Sequence, residues 1–157
     1  MKFTFLVIGK TNLPFVLEGL CMYEKRLSFY INFTRVEVPE LKGVKSFSQQ
    51  EIKKKEGDLI LKFLKSTDDL ILLDERGEYM DSDSWASVIE KKINLGKDVV
   101  FVVGGAYGFS QEVYQRANGM LSLSKMTFSH QIIRVIFMEQ LYRACTIIKG
   151  EPYHHRG

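Results

Sequence analysis

The chain is short of the features that announce special classes of protein. It has two cysteines in 157 residues, Cys21 and Cys145, with neither a C-x-x-C pair nor a zinc-type spacing. Free thiols in a reducing compartment are therefore expected. With three prolines and twelve glycines it has too few of either for a fibrous or disordered chain. No apolar run approaches the roughly 18 residues that span a bilayer. The opening MKFTFLVIGK has only a short apolar run before Gly9, too brief for a signal-peptide core and cleavage site. The expectation is a soluble, cytoplasmic protein with no membrane partner. A nucleotide fingerprint is missing too. The glycine loop Gly104-Gly105-Ala106-Tyr107-Gly108 reads GGxxG rather than GxGxxG, and no G-K-[ST] follows it.

What remains is an ordinary globular composition, 45% hydrophobic and 26% charged, of a length that suits one domain spanning 1–157. The net charge of +3 is unevenly spread. From Arg116 to Gly157 six basic residues face two acids, a net of +4, which leaves −1 for the rest. That excess is where phosphate would be drawn, or it is chance surface charge.

Periodicity predicts alternating strands and helices. KFTFLVI (2–8) reads as a strand, and Pro14 opens a helix with Val16, Leu20, Tyr23 and Leu27 on one face. A strand follows at 32–38. Ser48-Gln49-Gln50-Glu51 is a capping box for a helix to about Leu64, with Ile52, Leu59, Ile60 and Phe63 inward and Gly57 as its weak point. Asp69–Leu73 is a buried strand and Asp74–Met80 a polar loop. Ser82 or Asp83 caps a helix with Trp85, Val88, Ile89 and Ile93 inward, closed by Gly96. Val99–Val103 is the strongest strand, and Ser110 caps a short helix to Arg116. Met120–Leu123 is a brief strand after the Asn118-Gly119 turn. Ser129 caps the longest helix, to Ile148, whose inner stripe includes Ile132, Ile133, Ile136, Phe137, Leu141, Ala144 and Cys145. Gly150 and Pro152 end it. The fold class is α/β, a mainly parallel sheet flanked by helices, with ligands expected beyond the carboxyl ends of the strands. Three loops qualify, those after Leu73, Val103 and Leu123.

Taken singly, the chemistry-bearing residues have plain readings. GGAYG suits a tight turn or close approach of a ligand to the backbone. Leu121-Ser122-Leu123-Ser124-Lys125-Met126-Thr127-Phe128 is a strand-to-loop passage in which the Ser124 and Thr127 hydroxyls are on offer and backbone groups could read an adenine edge. His130 suits a helix surface, and Glu139 with Arg143 a surface ion pair at i, i+4 spacing. The tail from Tyr153 to Arg156 suits a frayed end. His154 and His155 are adjacent, and adjacent rings rarely reach one ion, so no metal is expected.

Together, VFVVGGAYGFS, LSLSKMTFSHQIIRVIFMEQLYRA and EPYHHR carry a resemblance that covers the whole chain. It resembles the ribosomal RNA large-subunit methyltransferase H family, a minimal branch of the SPOUT superfamily. The resemblance implies a deep C-terminal trefoil knot, within about 99–157, and a homodimer. It implies S-adenosylmethionine as cofactor and methylation of N3 of a pseudouridine in helix 69 of 23S rRNA. The partner would be the large subunit or assembled ribosome, not DNA. By position, Leu73, Gly104, Gly105, Leu123, Ser124, Lys125, Met126, Thr127 and Phe128 would bind the cofactor. Tyr153, His154 and His130 become candidates beside the target base. Arg143 and Arg134 become candidates for RNA phosphate or the cofactor carboxylate, with Glu139 orienting Arg143. Many members have proline where this chain has Ser129, and His155 and Arg156 extend slightly beyond many relatives. The competing readings are a SPOUT methyltransferase for another RNA, a non-catalytic ribosome- or RNA-binding α/β protein, and a flavodoxin-like nucleotide binder.

Overall fold

The computed structural model describes residues 1–155; Arg156, the end of the expected tail, and Gly157 lie outside the described residues. The elements run β1 (Phe3–Ile8), α1 (Pro14–Leu27), β2 (Phe33–Val38), α2 (Gln49–Phe63), β3 (Asp69–Tyr79) and α3 (Ser82–Leu95). They continue with β4 (Val99–Val103), α4 (Gln111–Arg116), β5 (Gly119–Ser122) and α5 (Ile132–Ile148). The five strands form one sheet in the order β2-β1-β4-β3-β5, and every pairing is parallel. Parallel neighbours need crossovers, which is why the apolar strands alternate with amphipathic helices.

Strand alternation sorts the core into two layers. Phe3, Phe5 and Val7 of β1, with Phe101 of β4, point to the face covered by α1, α3 and α5, where Leu20, Ile89, Phe137 and Leu141 meet them. Leu6, Leu72, Val100 and Val102 point to the opposite face, against Ile60 of α2 and Val113 of α4. Both faces of β1 and β4 are buried, as their continuous apolar runs require.

Several local expectations hold. Pro14 starts α1, the Ser48–Glu51 capping box is present, and Ser110 accepts from Val113 N. Gly96 closes α3 in the left-handed region at φ 74°. Others are corrected. The capping oxygen of α3 belongs to Asp81, which accepts from Ser84 N at 2.8 Å, rather than to Ser82 or Asp83. α5 begins at Ile132, and Ser129 Oγ accepts from Ile132 N at 3.2 Å from just outside the helix. Phe63 and Ile93 are not inward, being 40% and 36% exposed. Gly57 is less a weak point than a requirement, because a Cβ there would lie 2.4 Å from Ser110 Oγ where α2 meets α4.

The largest difference lies in β3. The expected loop at Asp74–Met80 is mostly strand, continuing to Tyr79. Both Leu73 and Glu78 register with Leu121 of β5, so residues 74–77 bulge out of the sheet between them. Gly77 sits against the backbone of β5, and a Cβ there would lie 2.6 Å from Leu121 C. β5 thus decides the shape of β3, and a local reading could not anticipate it.

Candidate functional site

The carboxyl ends of β3, β4 and β5 open onto one cavity of about 830 Å³. Its walls come from the three loops that the strand ends define. Leu73 ends the part of β3 that pairs with β4, and Leu121 and Leu123 supply apolar wall beside it. Gly104 and Gly105 follow β4. Neither has positive φ; the left-handed glycine of this loop is Gly108, at φ 83°. Gly104 and Gly105 serve by leaving room. A Cβ on Gly104 would lie 3.1 Å from the Phe109 ring, and one on Gly105 would lie 2.5 Å from Glu56 Oε1.

The segment after β5 folds over the cavity. Ser124 Oγ accepts from Met126 N at 2.9 Å, and Ser122 Oγ donates to Ser124 O at 3.1 Å. These bonds engage the Ser122 and Ser124 hydroxyls and shape the turn. Ser124, Met126, Thr127 and Phe128 line the cavity together with His130. Lys125 is not among the lining residues; its ammonium lies 5.3 Å from the Tyr79 ring centroid, on the outside of the turn.

The bulge in β3 contributes what the sequence reading missed. Asp74, Glu75 and Arg76 line the cavity with Tyr114 of α4. Asp74 Oδ1 accepts from Arg76 N at 2.8 Å, and Asp74 Oδ2 accepts from the Tyr114 hydroxyl. The Arg76 guanidinium stacks 4.4 Å from the Tyr114 ring centroid. Burial, then the bond to Asp74, push the Tyr114 phenol up, so it remains a donor. A charged triplet just after a buried strand was a visible signal; the register bulge that turns it into the cavity was not.

The other candidates form a separate cluster where the tail folds back on α5. Arg143 Nη2 donates to Glu139 Oε1 at 2.5 Å, and Tyr153 OH donates to the same oxygen at 3.0 Å. Arg143 Nη1 lies 3.1 Å from His154 Nδ1, and the guanidinium sits 4.8 Å from the Tyr153 ring centroid. Tyr142 meets Tyr153 edge-on at 4.8 Å, and Tyr30 OH donates to Glu151 Oε2 at 2.6 Å. The tail is therefore held at several points, while His155 is exposed. The Glu139 bond pushes the Arg143 guanidinium up, and burial does the same for the Tyr153 phenol, so both keep their protons at neutral pH. None of Glu139, Arg143, Tyr153 and His154 lines the cavity that His130 lines.

Arg134 departs furthest from expectation. It is 1% exposed and cannot meet RNA phosphate. Its guanidinium donates to Ile8 O, Gly9 O, Thr11 Oγ1 and His130 O at 2.9–3.0 Å. It ties α5 and the His130 turn to the end of β1. Gln131 adds to the tie, accepting from Asn12 N at 2.9 Å and donating to Lys10 O at 3.1 Å.

A parallel sheet whose strand ends open on a cavity of glycine backbone, hydroxyls and apolar walls defines an α/β protein built to hold a small molecule. The model of the family described as "Predicted SPOUT methyltransferase" matches residues 1–154. The chain is 51% identical over 156 residues to ribosomal RNA large subunit methyltransferase H of Parabacteroides distasonis, covering 99% of each chain. The proteins of that name from Cytophaga hutchinsonii and Bacteroides thetaiotaomicron are 51% and 50% identical over 156 residues, covering 99% of this chain and 100% and 99% of theirs. A solved structure of the SpoU methyltransferase AviRb from Streptomyces viridochromogenes, in complex with AdoMet, aligns at TM-score 0.45 and 10% identity. It covers 96% of this chain and 61% of that one, a likeness too distant to carry weight. The chain belongs to the SPOUT methyltransferase family, in the branch of ribosomal RNA large subunit methyltransferase H. Among the described residues no helix is long and apolar enough to cross a membrane.

Proposed function

We propose that the cavity binds S-adenosylmethionine and that the protein methylates N3 of a pseudouridine in helix 69 of 23S rRNA, within the large subunit or assembled ribosome. The observation that carries the cofactor assignment is the convergence of three strand-end loops on one cavity of suitable chemistry. Leu73, Leu123 and Phe128 offer apolar contact to an adenosyl group. The backbone of Ser124–Thr127 offers donors and acceptors to its edge, and Gly104 and Gly105 let it lie against the chain. Among the described residues the lining offers one guanidinium, Arg76, beside two carboxylates, a balance that suits a ligand without phosphate.

The bound cofactor would supply an electrophilic methyl group for direct in-line transfer. The protein's own part is alignment, which can account for much of the acceleration. His130, at the cavity, is the candidate to accept or direct the imide proton of the target base. Tyr153, held protonated, suits stacking or hydrogen-bond donation better than proton removal. Arg143, oriented by Glu139, presents a positive charge beside His154, suited to an RNA phosphate.

The tail cluster and the cavity are different places on one protomer, so the reading includes a homodimer in which a second copy completes the site. Support comes from exposed apolar side chains around α1, with Phe15 62%, Met22 42% and Phe29 79% exposed. The knot over about 99–157 is part of the same reading and rests on membership of the SPOUT family. A cytoplasmic setting follows from the substrate.

Calorimetric titration with S-adenosylmethionine tests the cofactor assignment. Absence of binding would leave a non-catalytic ribosome-binding protein. Single-turnover methylation by Tyr153→Phe and His154→Ala across pH tests the tail; wild-type rates in both would remove it from the chemistry.

A further inference from the structure

Resting on the cofactor reading above, we infer that the Asp74 carboxylate makes the cavity select the cationic sulfonium cofactor over its neutralised product. The bulge at 74–77 exists only because β3 registers twice on Leu121, and it turns Asp74 into the cavity wall. There the side chain is 7% exposed, far less than that of Arg76 at 65%. A carboxylate so enclosed is fixed in place rather than waving in water. Both of its oxygens are committed, Oδ1 to the Arg76 backbone and Oδ2 to the Tyr114 hydroxyl. Those bonds hold the carboxylate in one orientation against the wall. Its contact with the Arg76 guanidinium is long, 3.4 Å from Nε, and Arg76 instead lies over the Tyr114 ring.

Among the described residues, the wall carries two carboxylates, Asp74 and Glu75, against one exposed guanidinium, Arg76. Those three side chains together are net negative. S-adenosylmethionine at neutral pH has two positive centres, sulfonium and ammonium, and one carboxylate. S-adenosylhomocysteine has lost the sulfonium charge and is neutral overall. A fixed negative wall in a partly enclosed site attracts the first more than the second by the Coulomb energy of one charge. Asp74 is thus a specificity residue that favours cofactor loading and product departure. Tyr114 is its positioning residue.

The test is calorimetric titration of the full chain with S-adenosylmethionine and, separately, S-adenosylhomocysteine. Asp74→Asn keeps the shape and removes the charge. It is expected to weaken S-adenosylmethionine by roughly tenfold while leaving S-adenosylhomocysteine within about twofold. Arg76→Gln, at a side chain 65% exposed, is expected to shift the preference the other way. Equal loss of both ligands in Asp74→Asn, or no shift of the ratio in Arg76→Gln, would overturn the inference. If the wild-type protein binds neither ligand, the cofactor reading itself fails and takes this one with it. If Asp74→Asn does not fold, the direction of the Arg76→Gln shift alone decides.

Discussion

Replacing Arg134 with methionine removes the charge that joins α5 to the end of β1 while keeping most of the volume. The guanidinium makes four hydrogen bonds in a site where the residue is 1% exposed. Ile8 O, Gly9 O and His130 O would each lose a charged donor. Leaving a buried acceptor unsatisfied costs about 1–3 kcal/mol. Against this, methionine recovers the several kcal/mol spent in burying a guanidinium. The loss of three acceptors and a hydroxyl partner outweighs that recovery, for a net destabilisation of about 3 kcal/mol. In a domain of this length that lowers Tm by about 6–12 °C. Thr11 relays the network, since its N and Oγ1 both donate to Glu37 Oε2, at 3.0 and 2.7 Å. Thr11→Val and Arg134→Met should therefore couple by about 1 kcal/mol in a double-mutant cycle. The assay is thermal and urea unfolding of the four proteins. A single Arg134→Met variant melting within about 2 °C of wild type would refute the argument.

Three further outcomes are expected. Burial, then the nearby Glu40 carboxylate, push the Glu56 carboxyl up, so the folded state prefers it protonated. That contribution is full below the unfolded carboxyl range and fades as pH rises through the folded value, so Glu56→Gln should raise Tm at pH 7.5 and leave it unchanged near pH 3.5, as melting curves at both pH values would reveal. Burial pushes the Cys145 thiol up to about 12, while Cys21 is exposed. Ellman's reagent at pH 8 should therefore titrate one thiol per native chain and two after denaturation; rapid reaction of both in the native protein would contradict the packing of α5. Gly57→Ala should cost about 1–3 kcal/mol by urea unfolding despite alanine's better helix propensity, because its Cβ meets Ser110 Oγ. Adding Ser110→Gly should recover part of that loss.

Much of the sheet was legible because its information is local. Val99–Val103 and Phe3–Ile8 are continuous apolar runs that only a doubly covered strand explains. Ser48 with Glu51, and Ser110, carry their helix starts in their own side chains. What failed was non-local. β3 passes through Asp74–Tyr79 because β5 offers it a partner, and the charges of Asp74 and Arg76 reach the cavity only through that pairing. Helical spacing alone could not reveal that Arg134 points inward among backbone carbonyls, since an arginine on an apolar helix reads as surface until its acceptors are known. For the site, the resemblance gathered residues that lie in two places. Leu73, the glycines and the 123–128 turn converge with His130, while Glu139, Arg143, Tyr153 and His154 form their own bonded cluster. Composition had suggested a disposable tail, and its docking through Tyr142 and Tyr30 argues otherwise.

The most direct test of the account is methyl transfer itself. Assembled ribosomes lacking the modification, and separately a naked helix 69 hairpin, would be incubated with the protein and labelled S-adenosylmethionine, then mapped by mass spectrometry. The account predicts label on N3 of one pseudouridine in helix 69 of ribosomal particles, with little on the hairpin. Label at another nucleotide, or none on the ribosome by a protein that binds the cofactor, would contradict it.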